Sequence, residues 1–200
     1  EGGIIVNADG ERFTDETLDI AGMVHPLCRQ RGALGWVVFD AEIERRCAHI
    51  PETAALMNLG AAKSADTITD LADRTGMAAD RIGSALVEAH FAAREGHADS
   101  RGRVWHNDAA PPTPPYRALR VTGALYHTQG GLEIDADARV LKEDGHKFPN
   151  LFAGGGSARS VSGPSSWGYL PAMGLTTAVV LGHIAGKSAA NLVEACSRSG

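Results

Sequence analysis

The sequence contains few cysteines, the residues whose disulfide bonds stabilise small secreted domains. Only three of its 200 residues are cysteines, namely Cys28, Cys47 and Cys196, and they lie far apart. An odd, widely spaced set predicts neither a disulfide framework nor a metal site, so a reducing, cytoplasmic location is expected. No signal-peptide pattern opens the sequence.

Positive charge and long apolar runs are also scarce. Nineteen basic residues stand against 24 acidic ones, with a net charge of -5 and no basic cluster, which argues against a nucleic-acid binder. The most apolar stretch, residues 171–190, is interrupted by His183, Lys187 and three glycines. Because a membrane span needs about 20 predominantly apolar residues, no span is predicted.

Aromatic residues make up only 6% of the chain, whereas glycines number 24. This composition, which is also rich in alanine, favours closely packed helices and tight turns. The length suits one or two domains with a core of normal size. Residues 1–7 resemble the interior of a strand more than a chain terminus, so we expect the sequence to be a fragment of a longer protein.

Local patterns in the first 50 residues predict short strands joined by turns. Residues 4–6 form one expected strand, and Asp9-Gly10 supplies turn chemistry after it. Residues 35–39 read as a buried strand. Asp40 then has the side chain to cap a short helix over residues 41–48.

Residues 64–94 are predicted to be helical. Ser64 or Asp66 is expected to cap a first helix that Gly76 ends, and Gly96 is expected to end a second one. An apolar stripe at helical spacing supports the second helix. Its members are Ile82, Ala85, Leu86, Ala89 and Ala93.

A proline-rich run, residues 111–115, predicts a stiff connector and a domain boundary. Two strand-like segments follow, over residues 119–125 and 132–134. Between them lies the polar turn Tyr-His-Thr-Gln-Gly-Gly, residues 126–131.

The stretch 150–190 carries the clearest indication of a ligand site. A short apolar run, residues 151–153, precedes three glycines, a Ser/Gly/Pro-rich loop that ends near Tyr169, and a long helix from about Pro171. A strand, a glycine turn and a helix N-terminus together suit an anionic or electron-rich group. The alternative is a buried helix beside a glycine-rich connection that binds nothing.

Three motifs, taken in order, resemble one known family. They are GGIIVNADGERFTDE at residues 2–16, GALYHTQGGLEID at 123–135, and FPNLFAGGGS with GYLPAMGLTTAVVLGHIAGKSAA within 148–190. They are similar to the C-terminal half of the FAD-dependent fumarate reductase/succinate dehydrogenase flavoprotein superfamily, which includes the 3-ketosteroid dehydrogenases. The resemblance covers nearly the whole chain, because the middle is similar to the family's capping domain.

The resemblance implies an α/β fold, with an α+β capping domain inserted into a Rossmann-like FAD-binding domain. Residues 1–19 and 119–200 would belong to the FAD-binding domain, and residues 20–118 to the cap. The G-x-G-x-x-G nucleotide-binding unit is not in this sequence. An N-terminal FAD-binding half of the same protein is therefore an expected partner, with a small-molecule substrate and an electron-transfer partner.

The family pattern also assigns cofactor contacts to backbone groups. The expected FAD-binding residues are Gly154, Gly155 and Gly156 in the turn, and Met173, Gly174 and Leu175 at the start of the last helix. The two first glycines would let the backbone approach the cofactor closely. Gly156 stands where many relatives have glutamate.

Two side chains are candidates for catalysis. His127 matches the histidine that holds a substrate carboxylate in fumarate reductases; the alternative is a histidine that only hydrogen-bonds its own turn. Tyr169 offers a hydroxyl that would polarise a substrate oxygen or relay a proton, with plain packing as the alternative.

The two arginines that bind a dicarboxylate in fumarate reductases have no counterpart at the matching positions. Ile20 stands at one, and Tyr169 or Ser166 at the other, while Arg159 is a possible substitute. Because a buried dianion without cationic partners is costly, a less charged carbonyl substrate is expected, with a ketosteroid-like compound as one candidate. Elsewhere, Arg12 and Glu16 are expected to form a structural ion pair or hinge support, and Trp105 and His106 to line the mouth of the cap.

The leading functional hypothesis is an FAD-dependent oxidoreductase. It would transfer a hydride between flavin and a carbon–carbon bond adjacent to a carbonyl. The alternative is a non-catalytic structural or interaction fragment that does not bind flavin by itself.

Overall fold

The computed structural model describes residues 1–18, 20–106, 109–125, 129–159, 161–163, 165 and 168–198. The chain divides into two compact units, which we call the N-terminal unit (residues 1–124) and the C-terminal unit (residues 125–200). Helices and strands mix in both, as the expected α/β class requires. None of the described helices is long and apolar enough to cross a membrane.

A four-stranded antiparallel sheet organises the N-terminal unit. Its strands are β1 (Ile4–Val6), β2 (Leu34–Asp40), β3 (Lys63–Ala65) and β4 (Tyr116–Thr122). They lie in the order β1-β2-β4-β3. Val38 pairs with Ile4 on one side and with Ala118 on the other, and all three are fully buried.

Five α-helices lie among the described residues of this unit. They are α1 (Ile20–Cys28), α2 (Ala41–Cys47), α3 (Pro51–Asn58), α4 (Ile68–Thr75) and α5 (Ala79–Glu95). One face of the sheet packs with α4 and α5 in a single core. The predicted stripe on α5 lies in this core: Ile82, Ala85, Leu86 and Ala89 are buried, and Ala93 packs against them.

Several local signals act as the sequence predicts. The carboxylate of Asp40 accepts a hydrogen bond from the Ile43 backbone N–H at 2.8 Å, so Asp40 caps α2. Gly76 and Gly96 end α4 and α5 in the left-handed conformation. The Asp9-Gly10 turn also forms, since Gly10 N–H donates to the Asn7 carbonyl.

The predicted cap of α4 is wrong. Thr67 caps this helix, and its hydroxyl accepts from the Asp70 N–H at 3.1 Å. Ser64 instead lies in β3, where it pairs with Arg117 at the edge of the sheet. Tertiary pairing with β4 therefore overrides the local helical pattern.

The C-terminal unit contains a small hairpin and one long helix. Strands β5 (Arg139–Leu141) and β6 (Lys147–Phe152) pair antiparallel across a turn at Gly145. The strand predicted over residues 132–134 forms only isolated bridges, from Leu132 to Ala158 and from Ile134 to Val140. A single 3₁₀ turn, Gly155–Ser157, leads toward helix α6 (Met173–Arg198).

Helix α6 begins two residues after Pro171, so the expected placement of this proline in the first helical turn is wrong. Every residue of α6 lies in the described part of the chain, and only Thr177 among them is buried. Large apolar side chains are exposed along it, namely Leu175, Val179, Val180 and Val193.

Two glycine substitutions test how backbone conformation sets stability in the N-terminal unit. Gly76 has φ +78°, and a Cβ there would meet nothing within 4 Å, so Gly76→Ala should cost about 1 kcal/mol through backbone strain alone. Gly83 lies inside α5 with room for a methyl group, so Gly83→Ala should stabilise by about 0.5–1 kcal/mol. Urea denaturation measures both, and equal signs for the two changes would contradict the argument.

Candidate functional site

The glycine turn packs directly on α6. A Cβ at Gly154 would lie 3.1 Å from the Leu181 Cβ and 3.2 Å from the Gly182 nitrogen. A Cβ at Gly155, which has φ +56°, would lie 3.3 Å from the Ala178 Cβ. Close packing against the helix therefore accounts for both glycines without a ligand. A Cβ at Gly156, in contrast, would point into open space.

The end of the polar turn that follows His127 lies beside the glycine turn. Leu132 N–H donates to the Ser157 carbonyl at 2.9 Å, and Arg159 N–H donates back to the Leu132 carbonyl at 3.0 Å. A Cβ at Gly131 would lie 2.4 Å from the Ala158 carbonyl carbon, so only glycine fits there. Two stretches that the sequence singled out are thus brought together.

The first turn of α6 is open to solvent. Gly174 and Leu175 are exposed, and Met173 is half-buried. The first N–H groups of any α-helix lack acceptors within the helix, and the helix dipole adds partial positive charge there. This turn can therefore receive an anionic or electron-rich group.

A strained residue immediately precedes that turn. Ala172 has φ +66°, a left-handed conformation that costs a residue with a Cβ about 1–2 kcal/mol. Strain of this kind clusters at functional sites. No residue type predicts this strain, because alanine does not indicate a left-handed backbone conformation.

The structure describes one of the two candidate catalytic side chains, Tyr169. Tyr169 is half-buried in the segment before α6. His127 lies outside the described residues, as does Ser166. Arg159, the possible substitute for a missing arginine, forms an ion pair with Glu133 on the surface.

A second cluster, in the N-terminal unit, centres on the carboxylate of Glu16. The Ile5 N–H donates to it at 2.9 Å, the Arg12 Nη2 at 2.8 Å and the Arg103 Nη1 at 3.0 Å. The predicted ion pair between Arg12 and Glu16 is confirmed. Through Arg103, the Glu16 carboxylate also joins the segment that follows β1 to a loop near residue 100.

Asp99 and Trp105 complete this cluster, which the sequence did not reveal. Asp99 accepts from Arg12 Nη1 at 2.7 Å and from Trp105 Nε1 at 3.1 Å. The Arg103 guanidinium stacks 3.6 Å from the centroid of the Trp105 ring. Trp105 is only 6% exposed, so the expectation that it lines an opening is wrong.

The surroundings of Asp99 lower the pKa of its carboxyl group. Burial alone would raise the pKa of Asp99, but hydrogen bonds from Arg12 and Trp105 and the charge of Arg12 outweigh burial and hold that pKa below its ordinary value. The fold therefore stabilises the ionised form of the Asp99 side chain relative to its protonated form.

Replacing this acid should destabilise the N-terminal unit in a pH-dependent way. Asp99→Asn removes one of the two carboxylates that pair with the buried Arg12 guanidinium, and we expect a loss of about 3 kcal/mol at pH 7. Because the pKa is lower in the folded than in the unfolded protein, this contribution is present above the unfolded value near 4 and is lost as the pH falls through the folded value. Urea midpoints of the two proteins should therefore converge below pH 4.

The exposed Asp66→Asn is the matched control and should leave the urea midpoint unchanged at every pH. A constant difference between wild type and Asp99→Asn from pH 3 to pH 7 would contradict the assigned role.

The strain at Ala172 makes a separate prediction for the C-terminal unit. Ala172→Gly should raise the free energy of unfolding by about 1 kcal/mol, because glycine adopts φ +66° without steric cost. Ala185→Gly, inside the same helix, should instead lower it by about 1 kcal/mol. Urea unfolding followed by helical circular dichroism separates the two outcomes, and a destabilising Ala172→Gly would refute the strain.

Comparison with known proteins identifies the family. Residues 1–167 match the model of the FAD binding domain family. The chain is 28% identical over 189 residues to a probable fumarate reductase of Shewanella frigidimarina, an alignment that covers 94% of this chain and 31% of that protein. It is 26% identical to a 3-oxosteroid 1-dehydrogenase of Mycolicibacterium smegmatis, with 100% of this chain and 40% of the dehydrogenase covered.

Among solved structures, the chain matches a flavocytochrome c3 fumarate reductase in its open conformation. The TM-score is 0.73 at 26% identity, and the match covers 96% of this chain and 33% of that one. The chain belongs to the FAD binding domain family, within the superfamily of fumarate reductases and ketosteroid dehydrogenases. It spans about a third of the length of the relatives it matches.

The cofactor of this family is FAD, and the C-terminal unit fits part of it. Gly174 and Leu175 are exposed residues in the first helical turn, and the assignment of their N–H groups to the electron-rich edge of the flavin ring stays a prediction. The open space at Gly156 leaves room beside the turn. Gly154 and Gly155 are held by α6 itself, so they shape this surface, and their assignment as direct contacts stays a prediction.

Proposed function

We propose that this chain forms part of an FAD-dependent oxidoreductase that acts on a carbon–carbon bond adjacent to a carbonyl group. The observation that carries the proposal is the solvent-open first turn of α6, entered through the strained Ala172, in a chain of this family. When bound, FAD supplies the hydride chemistry. The chain supplies binding, orientation and electrostatic stabilisation.

The backbone at the start of α6 has the clearest role. Fixed N–H groups of Gly174 and Leu175, together with the helix dipole, would stabilise negative charge that develops on the ring. Such donors need no reorganisation during the reaction, because the helix already holds them. The strain at Ala172 is consistent with a turn that holds the backbone in the direction needed to enter α6, at a cost in stability.

Proton transfer falls to the side chains near this turn. Tyr169 precedes Met173 by four residues and is half-buried, so its hydroxyl is a candidate to polarise a substrate oxygen or relay a proton. His127 belongs to the turn whose continuation at Leu132 hydrogen-bonds the end of the glycine turn. Its ring is a candidate to bind the carbonyl or enol oxygen of the substrate.

The substrate class follows from the charges. A dicarboxylate needs buried cations, whereas Ile20 and Tyr169 stand where the fumarate reductases have arginines. Arg159 is already paired with Glu133. A less charged ketone or enone, such as a 3-ketosteroid, fits this set better, and the similarity to a 3-oxosteroid 1-dehydrogenase supports the same class.

The exposed apolar face of α6 indicates what covers it. Leu175, Val179 and Val193 are each at least 66% exposed. We propose that an N-terminal FAD-binding half, which the length of the relatives implies, packs on this face and completes the cofactor site. An electron-transfer partner would then reach the flavin from outside.

Flavin spectroscopy tests the proposal on the protein that includes its FAD-binding half. The purified protein should be yellow, and in anaerobic stopped-flow experiments a 3-ketosteroid or cyclic enone should change the flavin redox state much faster than succinate or fumarate. Tyr169→Phe should slow this step about 100-fold. Tyr116→Phe, the same change in the core of the N-terminal unit, should not.

Two outcomes would count against the proposal. A colourless protein that takes up no added FAD would support the non-catalytic alternative, in which the chain serves only as a structural or interaction domain. Rapid turnover of fumarate with no response to ketones would retain the enzyme class but overturn the substrate class.

A further inference from the structure

An apolar cavity of about 260 Å³ lies on the face of the N-terminal sheet that is turned away from α4 and α5. Successive residues of a strand point to opposite faces, so the neighbours of the core residue Val38 point into this cavity. The apolar side chains that line it come from β2, β4, α2 and α3: Val37, Phe39, Leu119, Ile43, Leu56 and Met57.

Helix α3 forms one wall without filling the space beneath it. The structure describes all eight of its residues, and none of them is buried. Its apolar residues run consecutively from Ala54 to Met57 and do not form a stripe at helical spacing. Leu56 remains 40% exposed. The helix therefore presents apolar groups to the cavity but cannot pack tightly against the sheet.

The side-chain charges at the edge of the cavity are both negative. Glu1 and Glu44 contribute to its lining, and each carboxylate is held by an arginine, at 2.7 Å from Arg46 and 3.0 Å from Arg117. No basic side chain is among the described residues that line the cavity. An anionic ligand would face two carboxylates and gain no cation, whereas a neutral apolar ligand meets no such penalty.

We propose that this cavity binds a small neutral molecule, a single apolar ring or a branched chain of similar size. A dry apolar cavity of about 150 Å³ already binds benzene in another protein. The volume here lies just below the range of about 300–1,000 Å³ typical of drug-sized ligands. The site involves only the N-terminal unit and does not depend on FAD or on the proposed oxidation.

Cys47 provides the readout, because its side chain is half-buried in the cavity lining. Cys28 and Cys196 are exposed, so the variant Cys28→Ser with Cys196→Ser leaves Cys47 as the single thiol. Toluene at about four times its dissociation constant should slow alkylation of Cys47 by iodoacetamide about five-fold, by mass action. Benzoate, which has the same ring and a negative charge, should not slow it.

Variants locate the effect in the cavity. Leu119→Trp fills the space and should abolish protection by toluene, while Val87→Trp, at an exposed position on α5, should preserve it. If Leu119→Trp does not fold, Met57→Ala provides the second test. It enlarges the cavity and should shift the preference from toluene toward a bulkier neutral ring such as naphthalene.

Absence of protection by toluene would overturn the proposal. So would equal protection by benzoate, or protection that persists in folded Leu119→Trp.

Discussion

The N-terminal unit depends on the carboxylate of Glu16. This group accepts hydrogen bonds from a strand N–H at Ile5 and from the guanidinium groups of Arg12 and Arg103. Strand β1 has only three residues, and a ladder of that length is weak by itself. The carboxylate supplements it by fixing the strand to a loop nearly one hundred residues later. Because both arginines are almost fully buried, removal of the acid would take from Arg103 its carboxylate partner and leave Arg12 paired with Asp99 alone.

Sequence reasoning recovered the elements that local chemistry specifies. Asp40 acts as a cap, and Gly76 ends its helix, because each depends on residues within one turn. Two helices were not predicted, for different reasons. Helix α1 contains Pro26, which normally argues against a helix, and α3 lacks an amphipathic pattern.

Contacts between residues that are far apart in the sequence cannot be predicted from local patterns. The Arg12–Asp99 pair joins residues 87 positions apart, and no spacing rule connects them. The placement of Ser64 in a sheet was equally hidden, because it depends on the partner strand β4. At the candidate site the order of motifs indicated which segments matter. It did not show that Gly154 and Gly155 are required by α6, or that Ala172 is strained.

The proposed flavin site would link cofactor binding to the order of α6. The helix carries β-branched residues and glycines near its start, including Thr176, Val179 and Gly182, and these have weak intrinsic helix propensity. With little of it buried, few contacts within this chain offset that weakness. A group that binds only the ordered first turn therefore stabilises the whole helix through mass action. With the flavin site proposed at this turn, its occupancy and the folding of α6 (Met173–Arg198) would form one coupled equilibrium.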